Sequence, residues 1–531
     1  MIRETNGPNS HEGLDASTSW REGNSKLFAG VQLPCGRSLQ NRFMKVAMYE
    51  HMATLFGGPP NDAHIRLYAR WAEGGWGMIC TGNVQVCGDH LTLGRDMVVP
   101  SRLTPEAVEP YTRLARAIHH GDPDTREHEE TPPRTLAIMQ LSHAGRQSSN
   151  IIGGRWPFVP PLAPSALPFG RAASKGEGLL SALLSRLMHT VLFQTPRAMS
   201  SADIKNVTGS FVRGVELAVA SRFDGVQLHA AHGYLISQFL SSKTNHRQDE
   251  YGAPEHALHF LREIVCAIRE IVPRDFILGI KLNAADYITR SSNGEQSSKS
   301  HNNALDHACE IARWGLLDFI EVSGGDYEDP AFISQSASAR QAFFTEFAYE
   351  VKYRLASSQI SRPPLILLTG GLRTLPLMSS VLTHDHADLL GIGRLSVLCP
   401  DLPRTLEAAT AGDMKVDEFP MVPLPQPDIA SPSSHRGSLH LLDTLLVRLW
   451  ALLPVRLPKL VGAGSVMAWY MVMMRRIAER KDLDYGVGGV EAVLRMWLWF
   501  APEPGGSVMD SWWATGMIGV LLGFVLGIVF L

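Results

Sequence analysis

The chain has 531 residues, with 49 Lys and Arg against 52 Asp and Glu. That near-neutral balance excludes a general polyanion-binding role, and no nucleic-acid partner is expected. The six cysteines, at 35, 80, 87, 266, 309 and 399, are too few and too scattered for a disulfide framework, and no pair has Cys-x-x-Cys spacing, which points to a reducing compartment and a metal-free site.

In chain order, residues 1–27 read as a polar tail that lacks the apolar core of a secretory signal and the Arg-rich bias of a transit peptide. Short apolar, β-rich runs follow at Phe43–Met48, Met78–Val84, Leu136–Leu141, Gly225–His229, Ile277–Asn283, Asp318–Ser323, Leu365–Thr369 and Asp388–Gly393. Helical spacing follows most of them, as in Ile204–Ser221, Ala257–Ile271, Ala304–Trp314 and Ala342–Leu355. Near-continuous hydrophobicity is the pattern of parallel strands covered by helices. Eight such units predict an α/β fold, a (β/α)8 TIM barrel over 28–415, with an open doubly wound sheet as the main alternative.

Three polar stretches, His120–Arg134, Arg171–Arg186 and Arg290–Asn303, supply little core and read as surface loops. Prolines at 420, 423, 425, 427 and 432 mark a stiff linker over 416–438. The extension 439–510 carries two apolar runs, Leu439–Leu453 and Val461–Ile477, able to cover the barrel, lie on a membrane or form a partner surface. Trp512–Leu531 holds no charge in twenty residues, the length of a bilayer-spanning helix. Residues 511–531 are therefore expected to form a single C-terminal transmembrane anchor, with the rest of the protein facing the cytosol.

Candidate functional residues collect at strand ends. His229, His232 and Tyr234 place three hydrogen-bonding groups at the mouth of a buried strand, where they can hold and protonate a polarised carbonyl compound. Gln140 ends another apolar run, and Lys281 lies inside one, where an unpaired cation is costly. Beside an electron-rich ring system, Lys281 would favour electron uptake by stabilising the reduced, negatively charged form. Thr369-Gly-Gly-Leu-Arg373 and Gly391-Ile-Gly-Arg394, after the last two strands, let backbone N–H groups approach an anion where such barrels often hold phosphate.

These residues resemble the old yellow enzyme, or NADH:flavin oxidoreductase (NADH oxidase), family in its fungal-type branch. The resemblance rests on Leu39–Met48, Gln140–Arg146, His229, His232 and Tyr234 with Gln238–Ser241, Asn245–Gly252, Gly279–Asn283, Gly391–Arg394 and Pro400–Pro403, and covers about residues 28 to 410. It continues more faintly in Ala468–Tyr470 and Arg475–Ile477.

The resemblance implies noncovalent FMN, an NADPH or NADH donor, and reduction of an activated alkene, and the expected membrane tail adds a lipophilic or specialised metabolite as substrate. By position, Ala47, Met48 and Gly82 would line the flavin and Gln140 would bond its pyrimidine edge. Lys281 would sit beside its N1/O2 side, and Gly371, Gly393 and Arg394 would hold the phosphate. His229 and His232 would bind the enone or enal oxygen, hydride would pass from flavin N5, and Tyr234 would deliver the proton. Tyr49, Ala47, Lys45, Leu395 and Cys399 depart from the family's common residues. Two alternatives stay open from sequence: a flavin-free, phosphate-binding isomerase or aldolase, and a non-enzymatic membrane-tethered scaffold. Oligomeric state is not legible.

Overall fold

A computed structural model describes residues 25–121, 135–168, 192–284, 298–324, 337–358, 360–410, 424–427, 433–434, 448 and 459–499. The eight apolar runs become strands β1 (Phe43–Lys45), β2 (Met78–Gln85), β3 (Leu136–Ser142), β4 (Gly225–Ala230), β5 (Ile277–Asn283), β6 (Phe319–Ser323), β7 (Leu365–Thr369) and β8 (Leu389–Ile392). Each pairs in parallel with the next, and β8 pairs back onto β1 through Leu390 and Phe43, so the sheet closes as the predicted barrel. Their residues are almost all buried because side chains face either the barrel interior or the helical layer.

Two apolar layers result. Met44, Met78, Cys80, Leu136, Ile138, Ile277, Phe319, Leu367 and Leu389 fill the interior. The antiparallel pair Val31–Gln32 and Ser38–Leu39 precedes β1, and its Leu33 and Leu39 join that cluster at the strands' N-terminal end. Three aspartates reinforce the same end by a shared device. Asp224, Asp318 and Asp388 each stand just before a strand and accept an N–H from the neighbouring strand, at Ala137, Leu278 and Ile366, each at 2.8 Å. His119, Arg269 and Lys352 pair with these three carboxylates in turn.

The outer layer comprises α1 (Asp62–Ala72), α2 (Pro105–His120), α3 (Ser201–Ala220), α4 (Leu235–Leu240), α5 (His259–Ile271), α6 (Ser298–Arg313), α7 (Ala337–Ser357), α8 (Leu375–Thr383), α9 (Arg394–Leu398) and α10 (Leu402–Thr410). In α3 the stripe Ile204, Val207, Phe211, Val215 and Ala218 is buried as its spacing predicts. The helix begins three residues earlier than its apolar pattern. Ser200 caps it and Asp203 reaches back to the Ser200 N–H, a reciprocal box that polar residues build upstream of the core stripe.

Beyond the barrel, α11 (Lys459–Ala478) and α12 (Gly489–Trp497) pack on each other, and α11 also packs on α1. From Ser465 to Ala478 nearly every α11 residue is buried, the signature of a helix enclosed by protein. Arg475 fixes it in place. Its guanidinium donates to the carbonyls of His51 (2.7 Å), Arg495 (3.0 Å) and Met496 (3.1 Å) and lies 4.4 Å from the Trp499 ring. Burial pushes this guanidinium down to about 9.

The expected transmembrane helix, and with it the membrane localisation and membrane partner, are corrected. No helix among the described residues is long and apolar enough to cross a membrane. The apolar run of α11 ends at Arg475 and Arg476 and is used against the barrel. The uncharged run 512–531 and the apolar run 439–453, apart from Arg448, lie outside the described residues.

Candidate active site

A cavity of about 220 Å³ opens at the C-terminal ends of the strands. Its walls bring together Ala47, Met48, Gln140, His229, His232, Tyr234, Lys281 and Arg394, drawn from five different strand ends. Gly82, Gly371 and Gly393 do not line it. The Gly82 N–H donates to the Glu50 carboxylate (2.9 Å) and to the Tyr68 hydroxyl (2.8 Å), and a Cβ there would stand 1.9 Å from a Glu50 oxygen. Gly82 is therefore demanded locally by a buried carboxylate. Lys45 belongs to the same cluster: it is fully buried, donates to the Cys80 carbonyl at 3.3 Å and lies 3.9 Å from the Trp71 ring. Burial lowers its ammonium to about 8, with Glu50 opposing the change.

Lys281 is a buried cation, as the sequence implies, and the barrel supplies its partner. Its Nζ lies 2.9 Å from the Glu321 carboxylate on the adjacent strand, at the directly paired register position. Glu321 also accepts from the Gln227 amide (2.8 Å) and the Thr369 hydroxyl (2.9 Å), and Gln227 accepts from the Gln140 amide at 2.7 Å. A polar belt thus crosses β3 to β7 beneath the cavity. It leaves the Gln140 carbonyl and its second amide hydrogen for a ligand.

Above the belt, the His229 ring packs 4.4 Å from the Tyr234 ring and 5.1 Å, edge-on, from that of His232. The geometry comes from a tight exit of the chain from β4: His232 (φ 57°) and Gly233 (φ 74°) both adopt left-handed backbone, which turns Tyr234 back toward the strand end. Burial holds His229 and His232 well below the ordinary histidine value, aided by nearby positive charge on Lys281. Neutral His229 accepts the Ala231 N–H at Nδ1, so its proton resides on Nε2 as a donor. His232 Nε2 lies 3.2 Å from the Ser323 hydroxyl. When that rotatable hydroxyl donates, the His232 proton is at Nδ1.

Asn83 was not distinguished by the sequence pattern, yet its amide donates to the Tyr234 oxygen at 2.8 Å. The phenolic hydrogen then points elsewhere. Tyr49, another cavity residue, donates to the buried Asp96 at 3.1 Å. The remaining wall is apolar and comes from α11: Val466, Met467, Met471 and Met474, with Tyr470 among them.

Residues 26–412 match the NADH:flavin oxidoreductase / NADH oxidase family. The chain belongs to this family. It is accordingly an NAD(P)H-dependent flavin oxidoreductase that uses FMN. It is 36% identical over 390 residues to the NADH-dependent flavin oxidoreductase iliE of Neonectria sp., spanning 71% of this chain and 46% of that protein. To iccE of Talaromyces variabilis it is 34% identical over 409 residues, spanning 73% and 89%. Among solved structures, the old yellow enzyme homologue of Zymomonas mobilis superposes with a TM-score of 0.55 at 20% identity, covering 75% of this chain and 94% of that one. Morphinone reductase in complex with tetrahydroNAD superposes at 0.52 and 21% identity, covering 72% and 91%. These two likenesses concern the fold.

The residues present fit the family's cofactor. The cavity joins a buried amide and ammonium suited to a polar ring edge, small or flexible Ala47 and Met48 suited to a flat ring, and an arginine suited to phosphate. The buried Tyr470 hydroxyl beside them has no hydrogen-bond partner. The space is below the roughly 300–1,000 Å³ usual for ligand pockets, and unbranched, adaptable Met48, Met467, Met471 and Met474 are among the side chains that line it.

Proposed function

We propose that this member of the family reduces a carbon–carbon double bond conjugated to a carbonyl or similar acceptor. The observation that carries this reading is the convergence of neutral His229, His232 and the Asn83-anchored phenol of Tyr234 in one cavity with Gln140 and Lys281. In this reading Ala47, Met48, Gln140 and Lys281 hold the flavin ring, Arg394 holds its phosphate, and Gly371 and Gly393 lie in the phosphate loops. The chemistry that bound FMN would supply is hydride transfer from NADH or NADPH to the substrate.

His229 and His232 bind the acceptor oxygen by N–H donation and draw electron density from the alkene. In a site shielded from water, this donation strengthens as negative charge develops on that oxygen. Tyr234 Oη gives its proton to the carbon α to the acceptor. Donation from Asn83 stabilises the phenolate left behind. The apolar wall of Val466, Met467, Met471 and Met474 supports a substrate with an apolar body.

The test is the product formed from 2-cyclohexen-1-one and NADPH in D2O. Solvent deuterium at the α-carbon of an intact ketone is expected. An allylic alcohol, or recovered enone while NADPH is consumed, would contradict the reading.

A further inference from the structure

The helix that closes the cavity lies beyond the region matched to the family, and it carries the one buried hydroxyl in that wall with no partner. Tyr470 is 2% exposed. Its ring lies 5.9 Å from the Arg394 guanidinium carbon. Arg373 stands close enough to act electrostatically on both Tyr470 and Arg394. Neither arginine forms an ion pair with a carboxylate among the described residues, and Arg373 Nε is also buried without a hydrogen-bond partner.

Two neighbouring guanidinium groups of like charge and an unsatisfied hydroxyl donor make a site that an anion completes. Burial pushes the Tyr470 phenol up to about 12, so it carries its proton throughout the neutral range and serves as a donor. Arg394 opens the helix that follows β8, where barrels commonly hold phosphate.

We propose that Tyr470, supplied by the C-terminal extension, is a binding residue for the phosphate monoester of FMN, donating its hydroxyl hydrogen to an oxygen of the dianion drawn in by Arg373 and Arg394. The inference rests on the FMN reading of the cavity given above. It makes the extension part of the cofactor site as well as its cover. The phosphates of a nicotinamide dinucleotide share the same chemistry, so the test separates the two sources.

The full-length apoprotein is titrated with FMN and with riboflavin, following flavin fluorescence, for the wild type, Tyr470→Phe and Arg394→Ala. The wild type is expected to bind FMN more tightly than riboflavin. Tyr470→Phe, which keeps the ring against Arg394, is expected to lose about tenfold or more in FMN affinity. Its riboflavin affinity should be unchanged, which also reports an intact fold. Unchanged FMN affinity, an equal loss for both flavins, or unchanged FMN affinity with a raised KM for NADPH would each overturn the proposal. If Arg394→Ala removes the preference for FMN while Tyr470→Phe does not, the phosphate reading stands and only the role of Tyr470 fails. A wild type that binds both flavins equally would overturn the phosphate reading and the proposal together.

Discussion

Tyr234→Phe is expected to slow flavin reoxidation by an enone by about 10²–10⁴-fold, the usual contribution of a positioned proton donor. Reduction of the flavin by NADH or NADPH should be largely unchanged, because that half-reaction takes no proton from the phenol. The substitution preserves the ring that packs 4.4 Å from His229 and deletes only the oxygen that Asn83 holds at 2.8 Å. Stopped-flow absorbance of the two half-reactions, measured separately, checks this. Equal slowing of both would mean that Tyr234 organises the cavity and does not deliver the proton.

Glu321→Leu is expected to cost about 3–5 kcal/mol of stability, because it strands a buried lysine in the barrel interior. Lys281 and Glu321 are only 5% and 0% exposed at their side chains. The Gln227 amide and Thr369 hydroxyl lose an acceptor in the same change. The double variant Lys281→Met with Glu321→Leu should recover most of the loss, since exchanging a whole buried pair for apolar side chains is often near neutral. Denaturant midpoints of the wild type, the two single variants and the double variant decide the matter. A double variant as unstable as the sum of the singles would show that the two residues act independently.

What was legible in the sequence follows from locality. The eight strands announce themselves as continuous apolar runs, and a parallel barrel needs little else from each run than hydrophobicity on both faces. His229, His232 and Tyr234 fall within six residues, so one loop brings them together without help from the rest of the fold. Lys281 was recognisable as a buried cation, but its partner lies 40 residues on in Glu321. The signal was present: both are single charges in apolar runs on consecutive strands, and parallel register places them side by side.

Other contacts had no local signal. Asn83 meets Tyr234 across 151 positions, and Glu50 reaches Gly82 across 32. The position of α11 depends on Arg475 finding the His51 carbonyl 424 positions away. Apolarity alone could not tell which surface would cover such a helix. The membrane expectation rested on the uncharged run 512–531, which lies outside the described residues, and no helix among the described residues is long and apolar enough to cross a membrane.

The most direct measurement is the visible spectrum of the purified full-length protein during anaerobic addition of NADPH or NADH, followed by cyclohexenone. The flavin band is predicted to bleach with the nicotinamide and to return with the enone. A band that bleaches but does not return until air is admitted would contradict ene reduction at this cavity.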